Sequence, residues 1–268
     1  MDSSKAGQAR RTDGIAQVKR KRSPASSSAG VIKLPARVHG TLNIDLADTL
    51  RRLITGGIYK AGDKLTEREL CERLGASRPS VREALRQLKA ECLVDIIPNR
   101  GPVVRALTEA ELLDLWDVRT SLMVVIARRF AERGTLHQID GLANALRDFD
   151  QALKGGDTDL IKSAKAKFYE AFLAGSDNGT ANWYFRQLNA RISFIWASSL
   201  LLPGRPAESI KELNSLLKAL RRRDSDGSAK AIGEHADHAR AVAIYGLHAI
   251  EESQRQAKRP RRRASAEK

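Results

Sequence analysis

Arg78, Arg82, Arg86 and Lys89 recur at i, i+4, i+8 and i+11, a spacing that sets four cations on one face of a helix. The positions between them, Val81, Ala84, Leu85 and Leu88, are apolar at helical spacing, so the segment reads as an amphipathic helix with its charged face in water. Guanidinium forks at the start of such a helix suit phosphates and the paired acceptors of guanine, a contact that contributes about 1–3 kcal/mol of base discrimination. Ser77 supplies an N-cap, and Pro79 fits the first turn, where no intrahelical amide bond is required. The helix N-terminus then adds partial positive charge at the same place. A solvated basic face is the usual fate of such spacing, so the case for nucleic acid rests on the neighbouring elements.

The helix before it runs from Glu67 to Leu74 and buries Leu70 and Leu74. Thr66-Glu67-Arg68-Glu69 has the pattern of a capping box, with the Thr66 hydroxyl accepting from the Glu69 amide and Glu69 reaching back. Gly75 suits a left-handed helix end, and only Ala76 and Ser77 separate the two helices, which is the spacing of a helix-turn-helix. A first helix spans Asp45 to Thr55 with Leu46, Leu50, Leu53 and Ile54 inward; Gly56-Gly57 stops it, and Tyr59 to Leu65 reads as a turn. After Cys92, Leu93–Ile97 and Gly101–Val104 read as two short strands joined through Pro98-Asn99-Arg100-Gly101. Such a hairpin is a wing, with Asn99 and Arg100 at the tip able to touch the DNA backbone or the minor groove.

The net charge of +15 is concentrated in the tails. Residues 1–37 hold nine Lys and Arg against two acids, and residues 255–268 hold seven against one, so the rest is near neutral. The clusters Lys19–Arg22 and Lys258–Arg263 are read as solvated basic tails that add phosphate affinity. Residues 1–36 carry too few apolar side chains to offset chain entropy and are expected to be disordered. No apolar run approaches the roughly 18 residues of a membrane span, and the basic, polar start lacks the apolar stretch of a secretory signal, so a cytoplasmic protein is expected. Cys71 and Cys92 are too few for a disulfide framework and have no metal-site spacing.

From Thr108 only helical periodicity remains, broken near Gly134, Gly155-Gly156, Gly175–Gly179, Pro203-Gly204 and Asp224–Gly227. Six helices joined by short loops result, an antiparallel bundle. Thr108-Glu109-Ala110-Glu111 caps the first of them, whose inward stripe is Leu112, Leu115, Trp116, Leu122, Met123, Ile126 and Phe130. Arg119 lies inside that stripe. A guanidinium facing a helical core is costly unless it meets an anion, either a structural carboxylate or a ligand's. His235 and His238 sit on the last helix among Ala229, Ile232, Ala236, Ala239 and Val242. The aromatic residues at 183–196 (Trp183, Tyr184, Phe185, Phe194, Trp196) are read as core packing. No nucleophile–base pair, paired carboxylates or phosphate-binding glycine loop is present, so catalysis is not expected.

At the stretches Thr66–Leu70, Leu74–Leu85 and Pro98–Gly101 the sequence resembles the GntR family of bacterial regulators. Within them, Arg68, Arg78 and Arg82 match operator-contacting arginines and Gly101 matches the wing-tip glycine. Cys92 stands where a glycine is usual. The six-helix pattern and Leu115-Trp116-Asp117-Val118-Arg119, together with Phe168, Gly175, Asn178 and Leu188–Ile192, resemble that family's FadR-type effector domain, the FCD type. In many members a metal sits in the bundle, held by an aspartate and three histidines. The corresponding positions here hold Lys165, Tyr169, Leu213 and His235, and a site with one histidine beside a lysine does not bind a metal ion. Lys165 is expected to fill the cation's space with a fixed positive charge, keeping the pocket attractive to an acid.

The resulting expectation is a mainly α protein: a winged helix-turn-helix over residues 37–106 and a six-helix, FCD-like effector and dimerisation domain over 107–253, between basic tails at 1–36 and 254–268. Its expected DNA-contacting set is Thr66, Glu67, Arg68, Ser77, Arg78, Pro79, Ser80, Arg82, Arg86, Asn99, Arg100 and Gly101, acting on a palindromic duplex operator as a homodimer. Arg119, Lys165, Tyr169 and His235 are the expected contacts to a small organic acid, with no metal or other cofactor. The alternative keeps the DNA module and gives the bundle only a dimerising role.

Overall fold

The computed structural model describes residues 39–195 and 205–258. The two basic tails, the break at Pro203-Gly204 and Trp196 lie outside those residues, apart from the few tail positions that prove to continue the last helix.

In the N-terminal part, α1 (His39–Thr55) starts six residues before the apolar pattern that predicts it from Asp45. Its Leu46, Leu50 and Ile54 pack with Leu70 and Leu74 of α2 (Glu67–Leu74) and with Val81, Ala84, Leu85 and Leu88 of α3 (Arg78–Ala90) into one core. Gly75 closes α2 at φ 62°, in the left-handed region where a side chain would be strained. Ser77 caps α3, its hydroxyl accepting from the Ser80 amide at 3.3 Å. The corresponding cap on α2 does not form. Thr66 holds the cap position, but its hydroxyl donates to the Glu69 carboxylate at 3.3 Å and no side-chain cap bond is made. The hydroxyl makes the side-chain half of the predicted contact with Glu69 but not the bond from its amide.

The wing is β1 (Val94–Ile97) paired antiparallel with β2 (Gly101–Val104), Val94 opposite Val104 and Ile97 opposite Gly101. The segment read as a plain turn before α2 adds a third edge. Lys64 bridges Val103, the Leu65 amide donates to Pro102 O, and the Val104 amide donates to Asp63 O, the last two at 2.9 Å. The chain enters β1 through Cys92 at φ 58°, which accounts for glycine's suitability there; a side chain in that conformation costs roughly 1–2 kcal/mol.

The C-terminal part contains, among the described residues, six helices: α4 (Glu109–Arg133), α5 (Leu136–Gly155), α6 (Thr158–Ala174), α7 (Gly179–Ile192), α8 (Arg205–Arg221) and α9 (Ser225–Lys258). The Thr108–Glu111 capping box forms in both directions, and Thr135 with Gln138 forms another that the sequence reading missed. Gly227 falls inside the first turn of α9 rather than in the loop, and α9 runs on to Lys258. The long helices α4 and α9 pack antiparallel: Trp116 Nε1 donates to Ala236 O at 2.9 Å, Arg240 meets Asp117, and His248 meets Glu109. Leu122 is only half-buried. Phe185 joins the core as expected, but Trp183 and Tyr184 are 55% and 54% exposed and stack edge to face on the surface. They follow Asn182 on the outward side of α7, whose own amide is spent on Leu173 O.

Phe130 shows how tightly the bundle closes. It is fully buried beside Gly134 and Gly175, and a Cβ on Gly175 would lie 2.2 Å from its ring. Neither glycine has positive φ here, so their role is to make room. Gly175→Ala should therefore destabilise the protein by about 1–3 kcal/mol, read as a lowered thermal midpoint, because the ring can move only by displacing packed neighbours. An unchanged midpoint would show that the ring has space to yield.

Candidate functional site

The α3 face carries the cations that its spacing implies. Arg78, Arg82, Arg86 and Lys89 are all exposed beside the Ser77 cap, and Pro79 and Ser80 occupy the first turn with them. The arginines are not idle in the protein alone. Arg82 donates from Nε to both carboxylate oxygens of Glu67, at 2.9 and 3.0 Å, joining α3 to the start of α2. That geometry leaves the terminal amino groups of Arg82 for a second acceptor. Arg68 pairs with Glu72 and Arg86 with Glu83, exposed pairs that contribute little stability and can be exchanged for phosphate. Thr66 and Glu67, half-buried, stand at the same end of α2.

At the wing tip Asn99 and Gly101 both have positive φ, 61° and 84°, which turns the chain sharply and leaves Pro98, Asn99 and Arg100 exposed. Arg100 reaches back to Gly62 O at 3.0 Å, fixing the tip on the turn before α2. The structure thus brings the residues expected to contact DNA to two adjoining places, the α2–α3 end and the wing tip.

Three of the four expected effector residues meet in the bundle. Lys165 and Tyr169 on α6, and His235 on α9, line one enclosed cavity of about 40 Å³ with Leu213, Phe168 and Arg205. Room of that size holds about two ordered waters or one carboxylate group. Arg119 is not on its wall. It is fully buried one layer behind, donating to the Tyr169 hydroxyl at 3.0 Å and, more weakly, to Asn189 Oδ1 at 3.4 Å. The rings of Trp116, Tyr169 and Phe185 surround its guanidinium at 5.1–5.5 Å. Desolvated cation–π contacts of this kind contribute about 2 kcal/mol.

Arg205 and Glu212 are the functional residues that the sequence reading missed. Arg205, nearly buried, grips Glu212 with two parallel hydrogen bonds of 2.7 and 2.9 Å. Glu212 also accepts from His235 and His238, each through Nδ1 at 2.7 Å. The signal was present as Arg205, Glu208 and Glu212 at one-turn and two-turn spacing on one helix. Leu213 has no donor atom, the Arg205 guanidinium has no lone pair to give, Lys165 offers at most a single amine, and the Nδ1 of His235 is committed to Glu212. Among the described residues no group of three or more His, Cys, Asp and Glu side chains could hold one. The lining therefore does not fit a metal centre, whose place in the bundle is taken by paired charges.

The electrostatics correct one expectation. Lys165 is partly exposed to the cavities it lines, but its amino group is enclosed by protein, and burial, then Arg119 and Arg205, push its pKa well below the usual lysine value. A positive charge there is therefore costly to hold, against the expectation of a fixed one. His235 is lowered by burial against the opposing pull of Glu212. Burial alone would raise Glu212, but the bonds from His235 and Arg205 outweigh it and hold the carboxyl at about 2.

These shifts set the acid limb of the stability curve. A histidine held below 6.5 in the fold protonates first in the unfolded chain, so stability begins to fall as pH drops through 6.5. A carboxyl lowered from 4.5 to about 2 contributes fully above 4.5 and loses that contribution between 4.5 and 2. Glu212→Gln should lower stability at neutral pH and flatten the loss below pH 4.5, measured by denaturant unfolding across pH. An acid limb as steep as that of the unsubstituted protein would remove Glu212 from this role.

Two family models match the chain. Residues 43–104 match the gntR family of bacterial regulatory proteins, and residues 114–238 match the FCD domain. Among curated relatives, the gluconate operon transcriptional repressor of Bacillus licheniformis is 24% identical over 203 residues, 72% of this chain and 82% of that protein. The HTH-type transcriptional repressor RspR of Escherichia coli is 25% identical over 194 residues, 72% and 85%. Among solved structures, E. coli McbR/YncC matches with a TM-score of 0.70 at 23% identity, covering 79% of this chain and all of that one, a likeness of fold.

Proposed function

Because the chain belongs to the GntR family, and as a gntR-type helix-turn-helix joined to an FCD domain is a DNA-binding transcription regulator, not an enzyme, we propose that it acts as a homodimeric repressor released by a small organic acid. The observation that carries the DNA half of this reading is the exposed Arg78–Arg82 face at the capped start of α3, flanked by the wing tip. Arg78 and Arg82 read bases. Thr66, Arg68, Ser77, Ser80 and Arg86 hold phosphates beside them. Glu67 orients Arg82 by occupying its Nε, and Pro79 keeps the first turn rigid. Asn99, Arg100 and Gly101 reach the neighbouring groove or backbone. Two copies set their recognition helices roughly 34 Å apart on a palindromic operator. Val118 and Val125 on α4 and Tyr245 on the paired α9 are 54%, 44% and 56% exposed, outward apolar side chains along these two helices that suit burial against a second copy of the bundle.

The bundle's part rests on the enclosed cavity, where Lys165, Tyr169, Arg205 and His235 converge and Arg119 holds the Tyr169 hydroxyl from behind. A carboxylic acid is the ligand class that these converging hydrogen-bond donors suit. The second reading, a bundle that only dimerises, is favoured by one observation, the 40 Å³ size of that cavity. Thermal shifts against a panel of small organic acids, sugar acids included, separate the two readings.

For the DNA half, replacing Arg78 and Arg82 with alanine should lower the preference for a selected operator over a scrambled duplex by roughly tenfold or more per arginine, at one fixed salt concentration. Weak binding to both duplexes through other cations should remain. An undiminished preference would exclude α3 as the reading element.

A further inference from the structure

Two wall residues of the enclosed cavity, Lys165 and Tyr169, also line a second space. It is a cleft of about 520 Å³ between the C-terminal half of α1 and the helices α6 and α7. That volume lies in the range, roughly 300–1,000 Å³, of sites that take small organic ligands. Five basic side chains line it against two acidic ones. Arg51 and Arg186 at its rim are engaged by Glu91 and Glu170, and Lys165 stands at its inner end, where the cleft abuts the enclosed cavity. The wall also carries the apolar side chains Ala166, Leu173 and Phe185 beside the Tyr169 ring. Basic groups beside such apolar surface are complementary to an amphipathic anion.

The cleft lies where the DNA-reading head meets the bundle. There the Lys162 amino group donates to Gly56 O at 3.0 Å, just past the end of α1, and Ala190 of α7 packs on the head's core. The cleft is walled by residues of both parts.

We propose that this cleft seats the effector's body, and that the effector is an organic monocarboxylate with an apolar tail of several carbons, its carboxylate at Lys165 and its tail along Leu173 and Phe185. The proposal rests on the reading of the bundle as an acid sensor and adds where the acid lies and what shape it has. The enclosed cavity takes at most the carboxylate, and the tail lies outside it, against α1. Ligand and head position are then coupled by direct contact: the tail and the Lys162–Gly56 bond both constrain α1, and the ligand shifts the head by as much as its affinity differs between the two placements.

The test uses the full chain and straight-chain carboxylates from acetate to decanoate, with thermal unfolding and titration calorimetry. Affinity should grow with length up to about six to eight carbons, at about fourfold per methylene taken out of water. Ala166→Trp fills the cleft from an exposed position that does not line the enclosed cavity, so it should abolish the length dependence and leave operator binding intact. Ser163→Trp, exposed on the same wall, repeats the test if the first variant does not fold. Lys165→Met should weaken binding across the whole series. Equal stabilisation by acetate and octanoate, unaffected by the tryptophans, would confine the acid to the enclosed cavity and overturn the proposal while leaving the sensing reading standing. Binding by sugar acids alone would do the same. If no acid of either kind binds, both fail.

Discussion

A guanidinium at the centre of a helical bundle is beyond the reach of water, and much of the C-terminal bundle is arranged around the accommodation of Arg119. The aromatic rings of Trp116, Tyr169 and Phe185, from three different helices, face it, and the Tyr169 hydroxyl and the Asn189 side chain accept from it. This fixes the orientation of Tyr169, whose other side forms the wall of both cavities. Trp116 is in turn pinned to α9 by its indole bond to Ala236 O. One buried cation thus sets the mutual positions of α4, α6, α7 and α9. It also places its charge near Lys165, adding to burial in making the lysine's own charge costly to keep.

A second charge cluster balances the first. Glu212 gathers Arg205, His235 and His238 on the opposite side of the enclosed cavity. It neutralises one guanidinium and fixes both imidazoles, so the cavity lies between a paired group and an aromatic-shielded one. A carboxylate entering between them would meet donors already engaged on the Glu212 side and the Tyr169 hydroxyl held by Arg119 on the other.

The head was largely legible in the sequence because its signals are local. Ser77 and Gly75 mark helix ends by rules that involve neighbours within four residues, and the Val81–Leu88 stripe fixes which side of α3 faces outward. The clearest failure comes from a distant partner: the turn before α2 becomes a strand edge because β2, some forty residues on, pairs with its backbone groups. In the bundle, a resemblance located Lys165, Tyr169, Leu213 and His235, and the structure brings all four to one cavity. The resemblance could not show Glu212, since its importance comes from a fold-level meeting with α9. It likewise could not show that Arg119 sits behind that cavity's wall, because depth within a core is not written in helical spacing.

The third backbone edge on the wing makes the α1–α2 turn, the hairpin and α3 one stiff body, and Arg100 clips its tip to the same turn. The turn after α1 is therefore tied by backbone and side-chain bonds to the wing tip. In the proposed dimer, a tilt of each head would alter the separation of the two heads while each remains intact. Loss of the second foothold would remove the high effective concentration that the first one provides, ending tight binding without spoiling a base contact.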